Sequence, residues 1–394
     1  MADEPSVNEN KSKPVKLVVR ILTALVTLLL ILGAVFLIAN WEKLNFDTIR
    51  RYFAYRSLSK DESGQAESFS YNGGITSSFV PLGNDLLVCS ASGVRLYASD
   101  GDAYVDHPCV LTNPILTVGG TSALVYDAGG TDLFVFQDRR EVFSLTGDST
   151  KPILCASLSA QGLLTVVTTG SGVRGVVTAY DASFQPRMTI RLSSRFVTDA
   201  VLSPDGKTLV LATVGQSNGI FDSQLSFYSL DGSEDSSPDC VCSLGGNTVL
   251  ELDWSTSPLK VLGDSSLDFV KADGTMEASY SYQYRYLKGY TLTGDGFCSL
   301  LLGRYRAGTD AQLVTVGPDG KEQGSLNLDR QVLSLSSAGK YLSVLTADGL
   351  DIFSGKLDLY HNLPETRGAR KVLQRSDGSV ILIAPETAQL YLPQ

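Results

Sequence analysis

The pattern of hydrophobic and polar positions changes near residue 67. Before that point, residues Ile21–Ala39 form a run without a charged residue. Beyond it, short runs that alternate or are wholly apolar are interrupted about every 8–12 residues by Gly, Asp and Ser. A long apolar run predicts a helix, whereas short runs bounded by turn residues predict β-strands. We therefore expect a helical N-terminal part and an all-β body over residues 67–394.

The body repeats a unit of four short strands. Each unit opens with a strand, a tight turn and a second strand, and a third strand follows each time. The first turns lie near residues 83, 120, 162, 206, 257, 296, 339 and 378. Four strands per about 40–45 residues is typical of a β-propeller blade. The repeat predicts eight blades, with seven as the alternative, because the long fourth unit and the irregular fifth unit obscure the count.

The two ends of the body predict how the ring closes. The eighth unit stops at Gln394 after three strands, and a spare strand, Glu67–Asn72, precedes the first unit. Pairing this strand with the edge at residues 390–392 completes the last blade. An unpaired edge would invite aggregation, so we expect the N-terminal strand to close the ring.

The run Ile21–Ala39 is long enough to cross a hydrocarbon layer of about 30 Å. It exceeds the roughly 7–15 apolar residues of a signal peptide, and Trp41 follows it at the position of an interfacial anchor. We therefore expect a retained transmembrane helix over residues 21–41. Basic residues just before the run favour a cytoplasmic tail over residues 1–20, which places the body outside the membrane.

Residues 42–66 are expected to connect the membrane segment to the body. Apolar residues between Leu44 and Phe53 approximate helical spacing, and arginines flank them. The pattern fits a short helix lying on lipid headgroups, and it fits a simple stalk helix equally well. The polar tract that follows is typical of a flexible linker.

Charge and composition exclude several classes of function. The net charge is −10, which repels nucleic acid, so no nucleic-acid partner is expected. The six cysteines show neither C-x-x-C pairing nor histidine partners, so no zinc site is predicted, and disulfides and buried thiols both remain open. The two histidines, His107 and His361, fall in outer strands or loops, away from the axis of a propeller. We predict no catalytic residue, cofactor or metal ligand.

A run of tyrosines is the strongest candidate for a binding surface. Tyr280, Tyr282, Tyr284 and Tyr286 alternate with other residues, so on one strand they would share a face. Such a stripe could bind a sugar or a peptide. Packing between blades is the alternative interpretation.

One stretch, YDAGGTD at residues 126–132, resembles the DxGGT phosphate loop of actin-fold sugar kinases. It lies, however, between the second and third strands of the second repeat, where other units place GSG, ASG or ADG. We therefore expect Gly129 and Gly130 to supply the positive φ angles of a hairpin turn, with no role in nucleotide binding.

The body resembles WD-repeat and quinoprotein-like propellers, and its turn SPDGK (Ser203–Lys207) is similar to a turn of TolB- and lactonase-like propellers. A short tail, one span, the stretch Asn45–Arg50 and a propeller containing Asn113–Gly130 together resemble a bacterial single-pass membrane family of unknown function. This resemblance implies the architecture and carries no activity.

We therefore expect a propeller anchored outside the cell membrane that binds a protein or an envelope component without catalysis. The alternative is an extracytoplasmic metal-dependent hydrolase, similar to a lactonase, with its metal in the axial channel.

Overall fold

A computed structural model of the chain describes two compact units, Met1–Arg56 and Ser57–Gln394. The described residues are 13–39, 46–56, 58–217, 219–232, 234–283 and 285–393.

The first unit contains two helices, α1 (Lys13–Ala39) and α2 (Phe46–Tyr55). Within α1, the hydroxyls of Thr23 and Thr27 each donate a hydrogen bond of 2.8 Å to the carbonyl four residues earlier, which satisfies them inside an apolar helix. Among the residues described, we find no helix whose length and apolarity suffice for a membrane crossing.

The second unit is a β-propeller of eight four-stranded blades. Its earliest strand, β1 (Phe69–Ser70), belongs to the last blade. Blade 1 contains β2 (Ser78–Leu82), β3 (Asp85–Ser90), β4 (Gly93–Tyr97) and β5 (Ala103–Pro108). Blade 2 contains β6 (Pro114–Gly119), β7 (Ser122–Asp127), β8 (Asp132–Gln137) and β9 (Arg140–Thr146). Blade 3 contains β10 (Ile153–Leu158), β11 (Leu164–Gly170), β12 (Val173–Tyr180) and β13 (Pro186–Leu192). Blade 4 contains β14 (Phe196–Leu202), β15 (Thr208–Ser217), β16 (Ile220–Ser229) and β17 (Cys240–Gly245).

The remaining blades follow the same order. Blade 5 contains β18 (Val249–Asp253), β19 (Leu259–Gly263), β20 (Ser266–Val270) and β21 (Met276–Ser281). Blade 6 contains β22 (Tyr286–Gly294), β23 (Phe297–Gly303), β24 (Ala311–Val316) and β25 (Glu322–Leu328). Blade 7 contains β26 (Val332–Ala338), β27 (Tyr341–Thr346), β28 (Gly349–Ser354) and β29 (Leu359–Leu363). Blade 8 contains β30 (Lys371–Gln374), β31 (Val380–Ile383) and β32 (Thr387–Tyr391), and β1 is its outermost strand.

The first strands of neighbouring blades run parallel around the axis. Between blades 7 and 8, the amides of Val372 and Gln374 donate to the hydroxyls of Ser334 and Ser336 at 3.2 and 2.9 Å. Residue numbers therefore increase in the same direction along both strands. Strand β2 of blade 1 contacts β30 of blade 8, which closes the ring. The core lies between the blades: β3, β7, β23 and β27 are buried along their whole length because neighbouring blades cover both of their faces.

Ring closure by the N-terminal strand is confirmed, but the predicted pairing of Glu67–Asn72 with residues 390–392 is wrong, because residues 64–66 pair with that edge and Phe69–Ser70 pairs further along β32. Phe69 pairs with Ala388 in an antiparallel register, and the amide of Ala66 donates to the carbonyl of Leu390 at 2.8 Å. The pairing continues where the amide of Leu392 donates to the carbonyl of Gly64 at 2.9 Å. We call this segment, residues 64–70 with β32, the clasp. Eight blades are confirmed, and the alternative of seven is wrong.

The turn at YDAGGTD departs from the prediction at one of its two glycines. Gly129 has φ = 84°, as expected, but Gly130 is not in the positive-φ region. Position 130 requires glycine for a different reason, because a Cβ there would collide with the carboxylate of Asp127. That carboxylate accepts hydrogen bonds from the amides of Thr112 (2.9 Å) and Asn113 (2.6 Å), so the stretch braces the connection between blades 1 and 2.

Because strands alternate in direction within each blade, the two faces of the ring carry different connections. We call the face where the first strands begin the upper face; it carries the links between blades and the turns between second and third strands. In blade 4, Phe196 at the start of β14 pairs with Val214, and β15 continues three residues further to Ser217. The hairpin of β15 and β16 therefore extends beyond the first strand on this face.

Candidate interaction site around the axial channel

Large apolar side chains are exposed in a group on the upper face of blades 2–6. Each lies at the start of a first strand, in a link between blades, or at a turn between second and third strands. They are Val110, Ile115, Leu154, Phe196, Ile220, Phe221, Leu250, Tyr286 and Tyr305. The other exposed apolar side chains on the outer strands of the described propeller are dispersed over four blades: Tyr104, Val241, Met276 and Leu359. The grouping marks the upper face as a candidate interaction surface.

The long hairpin of blade 4 contributes the most exposed pair. Ile220 and Phe221 are 71% and 72% exposed, at the start of β16 next to the turn. Phe196 lies near the base of the same hairpin, and the guanidinium of Arg174 from blade 3 lies 4.8 Å from the centroid of its ring. Aromatic and arginine side chains are the types enriched at protein interfaces.

A depression of about 480 Å³ lies on the same face, where blade 6 meets blades 5 and 7. Its lining includes Leu250, Tyr286, Lys288 and Arg306. The Arg306 guanidinium lies 5.8 Å from the centroid of the Tyr286 ring, and the Lys288 ammonium donates to the carbonyl of Gly308 at 2.7 Å. We call this feature the blade-6 depression.

The axial channel forms a cavity of about 640 Å³ lined mainly by the first strands of blades 2–6. Two carboxylates in it connect neighbouring blades. Asp199 of blade 4 accepts from the amides of Ala200 and Leu252, both at 2.8 Å, and Leu252 belongs to blade 5. Glu251 of blade 5 accepts a hydrogen bond of 2.6 Å from the Tyr290 hydroxyl of blade 6.

Burial dominates the electrostatics of these channel groups. It raises the pKa of Asp199 to about 6, against the opposite effect of the two amide donors. It also raises the pKa of Glu251, although the Tyr290 hydroxyl opposes the shift. A third channel carboxylate, Asp253, is compensated by the Lys260 ammonium at 2.8 Å. Within the residues that the structure describes, no group of three or more His, Cys, Asp or Glu side chains could hold a metal ion.

Both histidines lie on outermost strands, as the sequence predicts. His107 in β5 places its Nδ1 3.1 Å from a carboxylate oxygen of Glu141, and its ring packs against Phe134. His361 in β29 has its Nδ1 2.8 Å from the hydroxyl of Tyr391. Neither lines the channel cavity. The six cysteines are free thiols.

The tyrosine run is divided between two blades. Tyr280 lies on the outer strand of blade 5, and its hydroxyl donates to the carboxylate of Glu322 at 3.1 Å. Tyr282 is buried, and its hydroxyl donates to the carbonyl of Gly263. Tyr286 starts the first strand of blade 6 on the upper face, while Tyr284 lies outside the described residues. The three described tyrosines thus do not form a stripe on one strand, because the chain changes blade between Ser281 and Tyr286.

Sequence reasoning missed the other members of the upper face. Ile220, Phe221 and Leu250 look like ordinary strand residues, because exposure at a strand start depends on what the next blade covers. The length of the fourth repeat was the one available signal, since it comes partly from the extended hairpin.

Comparisons with known proteins agree on the fold. The model of a family of unknown function (DUF5711) matches residues 53–356. A search of curated proteins found no match. Among solved structures, the C-terminal WD40 domain of Sif2 is 13% identical, with a TM-score of 0.59 over 83% of this chain and 97% of that chain.

Two further structures are similar at the same level. A quinohemoprotein alcohol dehydrogenase, ADHIIG from Pseudomonas putida HK5, is 11% identical, with a TM-score of 0.54 over 84% of this chain and 77% of that chain. A eukaryotic initiation factor is 12% identical, with a TM-score of 0.52 over 85% and 87%. At these identities the likeness shows the β-propeller fold alone.

Proposed function

The chain belongs to the family of unknown function DUF5711, and from this premise we propose that it is a non-catalytic binding module. Its partner is a protein or a component of the cell envelope, and the upper face of the propeller is the surface that docks it.

The exposed apolar group on the upper face is the observation that carries this proposal. Leaving such side chains in water forgoes about 1.5–3 kcal/mol for each one that could be fully buried, so a partner that covers several of them gains substantial affinity. The rigid ring also fixes these side chains relative to one another, which lowers the entropy cost of binding.

We further propose that residues 21–41 anchor the propeller to a bacterial membrane, with the N-terminus in the cytoplasm. The uncharged run Ile21–Ala39, which belongs to α1, supports the anchor, and the basic residues before it support the orientation. Protease added outside intact cells is expected to cleave between Lys43 and Gln65 and release the propeller. A propeller that stays fully protected, but is degraded after the cells are lysed, would contradict this topology.

Site-specific photo-crosslinking in membranes tests the binding function. A photoreactive residue in place of Phe221 is expected to yield a discrete crosslinked band, because that side chain would lie within the interface. The matched control replaces Met276, which is exposed on the outer strand of blade 5. Equal crosslinking at both positions, or none at Phe221, would contradict docking on the upper face.

An enzyme with a metal in the channel is the second candidate. Its one supporting observation is that Asp199 and Glu251 both lie beside the 640 Å³ cavity, although these are only two carboxylates and the described residues contain no larger group of metal ligands. Stoichiometric calcium in the purified protein, lost in Asp199→Asn and Glu251→Gln variants, would favour this enzyme over the binding module.

A further inference from the structure

We infer that the partner presents an acidic peptide segment, in which carboxylates stand next to apolar side chains, and that this segment docks in the blade-6 depression. The inference rests on the proposed function and adds the chemistry of the partner.

The depression is cationic although the protein is acidic. Two cations, Lys288 and Arg306, line it, and Arg304 lies on the same loop, in a chain whose net charge is −10. The one carboxylate in the lining is that of Asp264, which already accepts the amide of Thr248 at 3.0 Å. In the part of the chain that the structure describes, none of the three cations forms an ion pair with a carboxylate.

Most other arginines on the described surface of the propeller are already neutralised. The guanidiniums of Arg139, Arg191 and Arg330 lie 2.7, 2.6 and 2.7 Å from aspartate oxygens. Arg304 and Arg306 lie instead beside the rings of Tyr305 and Tyr286, at 5.5 and 5.8 Å from their centroids. A guanidinium placed against a ring keeps its N–H edge available, and a carboxylate is the group that binds such an edge with two hydrogen bonds.

The apolar part of the depression distinguishes a peptide from a plain polyanion. Leu250 and Tyr286 are 51% and 45% exposed beside the cations. A polyanion without apolar groups would satisfy the charges and leave these two side chains in water. An acidic peptide that also carries leucine or phenylalanine satisfies both, so it fits the surface better.

Panning a random dodecapeptide phage library on the full-length chain in detergent micelles tests the inference without assuming a sequence. Enriched peptides are expected to carry Asp or Glu next to Leu, Phe, Tyr or Trp. Synthetic copies of them should bind Arg306→Glu and Lys288→Glu variants about tenfold more weakly, and should bind more weakly in high salt. The control, Arg140→Glu, changes an exposed arginine on the outer strand of blade 2 and should stay within about twofold.

Three outcomes would overturn the inference: enrichment of basic or uncharged peptides, no enrichment, or unchanged affinity in both charge-reversal variants. Poly-glutamate that binds as tightly as the selected peptides would identify a general polyanion surface and overturn it as well. Arg306→Gln, with an unchanged thermal midpoint, separates loss of binding from loss of folding. If the peptide experiments fail but crosslinking at position 221 persists, the proposed function stands and only the acidic-peptide inference is wrong. If crosslinking at position 221 is absent, the proposed function itself is contradicted.

Discussion

At the scale of single residues, Asp199 links the stability of the ring to pH. Its pKa in the folded protein is raised to about 6, compared with about 3.9 in an unfolded chain. The folded state therefore binds the proton more tightly. The resulting stabilisation is fully present below about pH 4 and is lost as the pH rises through about 6.

Replacing Asp199 should flatten this dependence. For the wild type, this group is expected to raise the free energy of unfolding by about 0.8 kcal/mol between pH 7.5 and 5.5, and Asp199→Asn should lose this contribution. Denaturant unfolding at a series of pH values measures both. The control is Asp205→Asn, because hydrogen bonding by Ser203 lowers the pKa of that exposed carboxyl and removes it from the window. A slope that survives in Asp199→Asn would contradict the assignment.

The two neighbouring glycines of YDAGGTD show what a motif can and cannot predict. The positive φ of Gly129 follows from its place in a short hairpin turn, which local sequence can indicate. The role of Gly130 depends on where the carboxylate of Asp127 points, and that depends on amides of the preceding link between blades. No local pattern contains this information.

At the scale of elements, the clasp was predictable because it follows from counting. A missing outer strand at one end and a spare strand at the other require one another if no edge is to remain open. The division of the tyrosine run between two blades could not be predicted in the same way. Tyrosines at every second position look the same in the sequence whether one strand or two strands carry them. The structure separates the two strands, because Tyr282 is buried by its neighbours and blade 6 begins at Tyr286.

The clasp should fail if its backbone donor is removed. Ala66 is buried, and its amide donates to the carbonyl of Leu390 at 2.8 Å. Ala66→Pro is expected to destabilise the propeller by about 3 kcal/mol, because proline has no N–H and restricts the strand. Hydrogen–deuterium exchange should increase in β32 before it increases in blades 3 and 4. Ala66→Ser retains the donor and should cost much less; equal losses in both variants would argue against the hydrogen bond as the cause.

At the scale of the whole molecule, stability and binding are assigned to different side chains of the same strand. Phe221 at the start of β16 is exposed, whereas Phe227 further along is buried between blades 4 and 5. Phe221→Ser should leave the free energy of unfolding within about 0.5 kcal/mol and greatly reduce partner binding. Phe227→Ser should cost at least about 3 kcal/mol. Thermal melts measure the stability of both variants, and crosslinking from a photoreactive residue at Ile220 measures their partner binding. Loss of stability in Phe221→Ser would contradict an exposed docking role.

The sequence indicated the architecture far better than the candidate site. Blade number and ring closure come from periodicity and turn residues, which are local and repeated. The upper face comes from strand starts in five different blades, and their convergence depends on the ring geometry. Among the described tyrosines of the predicted stripe, Tyr286 is the one that lies on this face, and its partner Arg306 lies on a separate loop of the blade.

The clasp also determines where mechanical tension would act. The described part of the propeller begins at residue 58, and the chain reaches the ring through the short paired segment 64–70. A pulling force transmitted along the chain from its N-terminal side therefore loads the hydrogen bonds to β32 before any other blade. The sheet that seals the ring would be the first to yield under such a force, and the other seven blades would be spared until it opened.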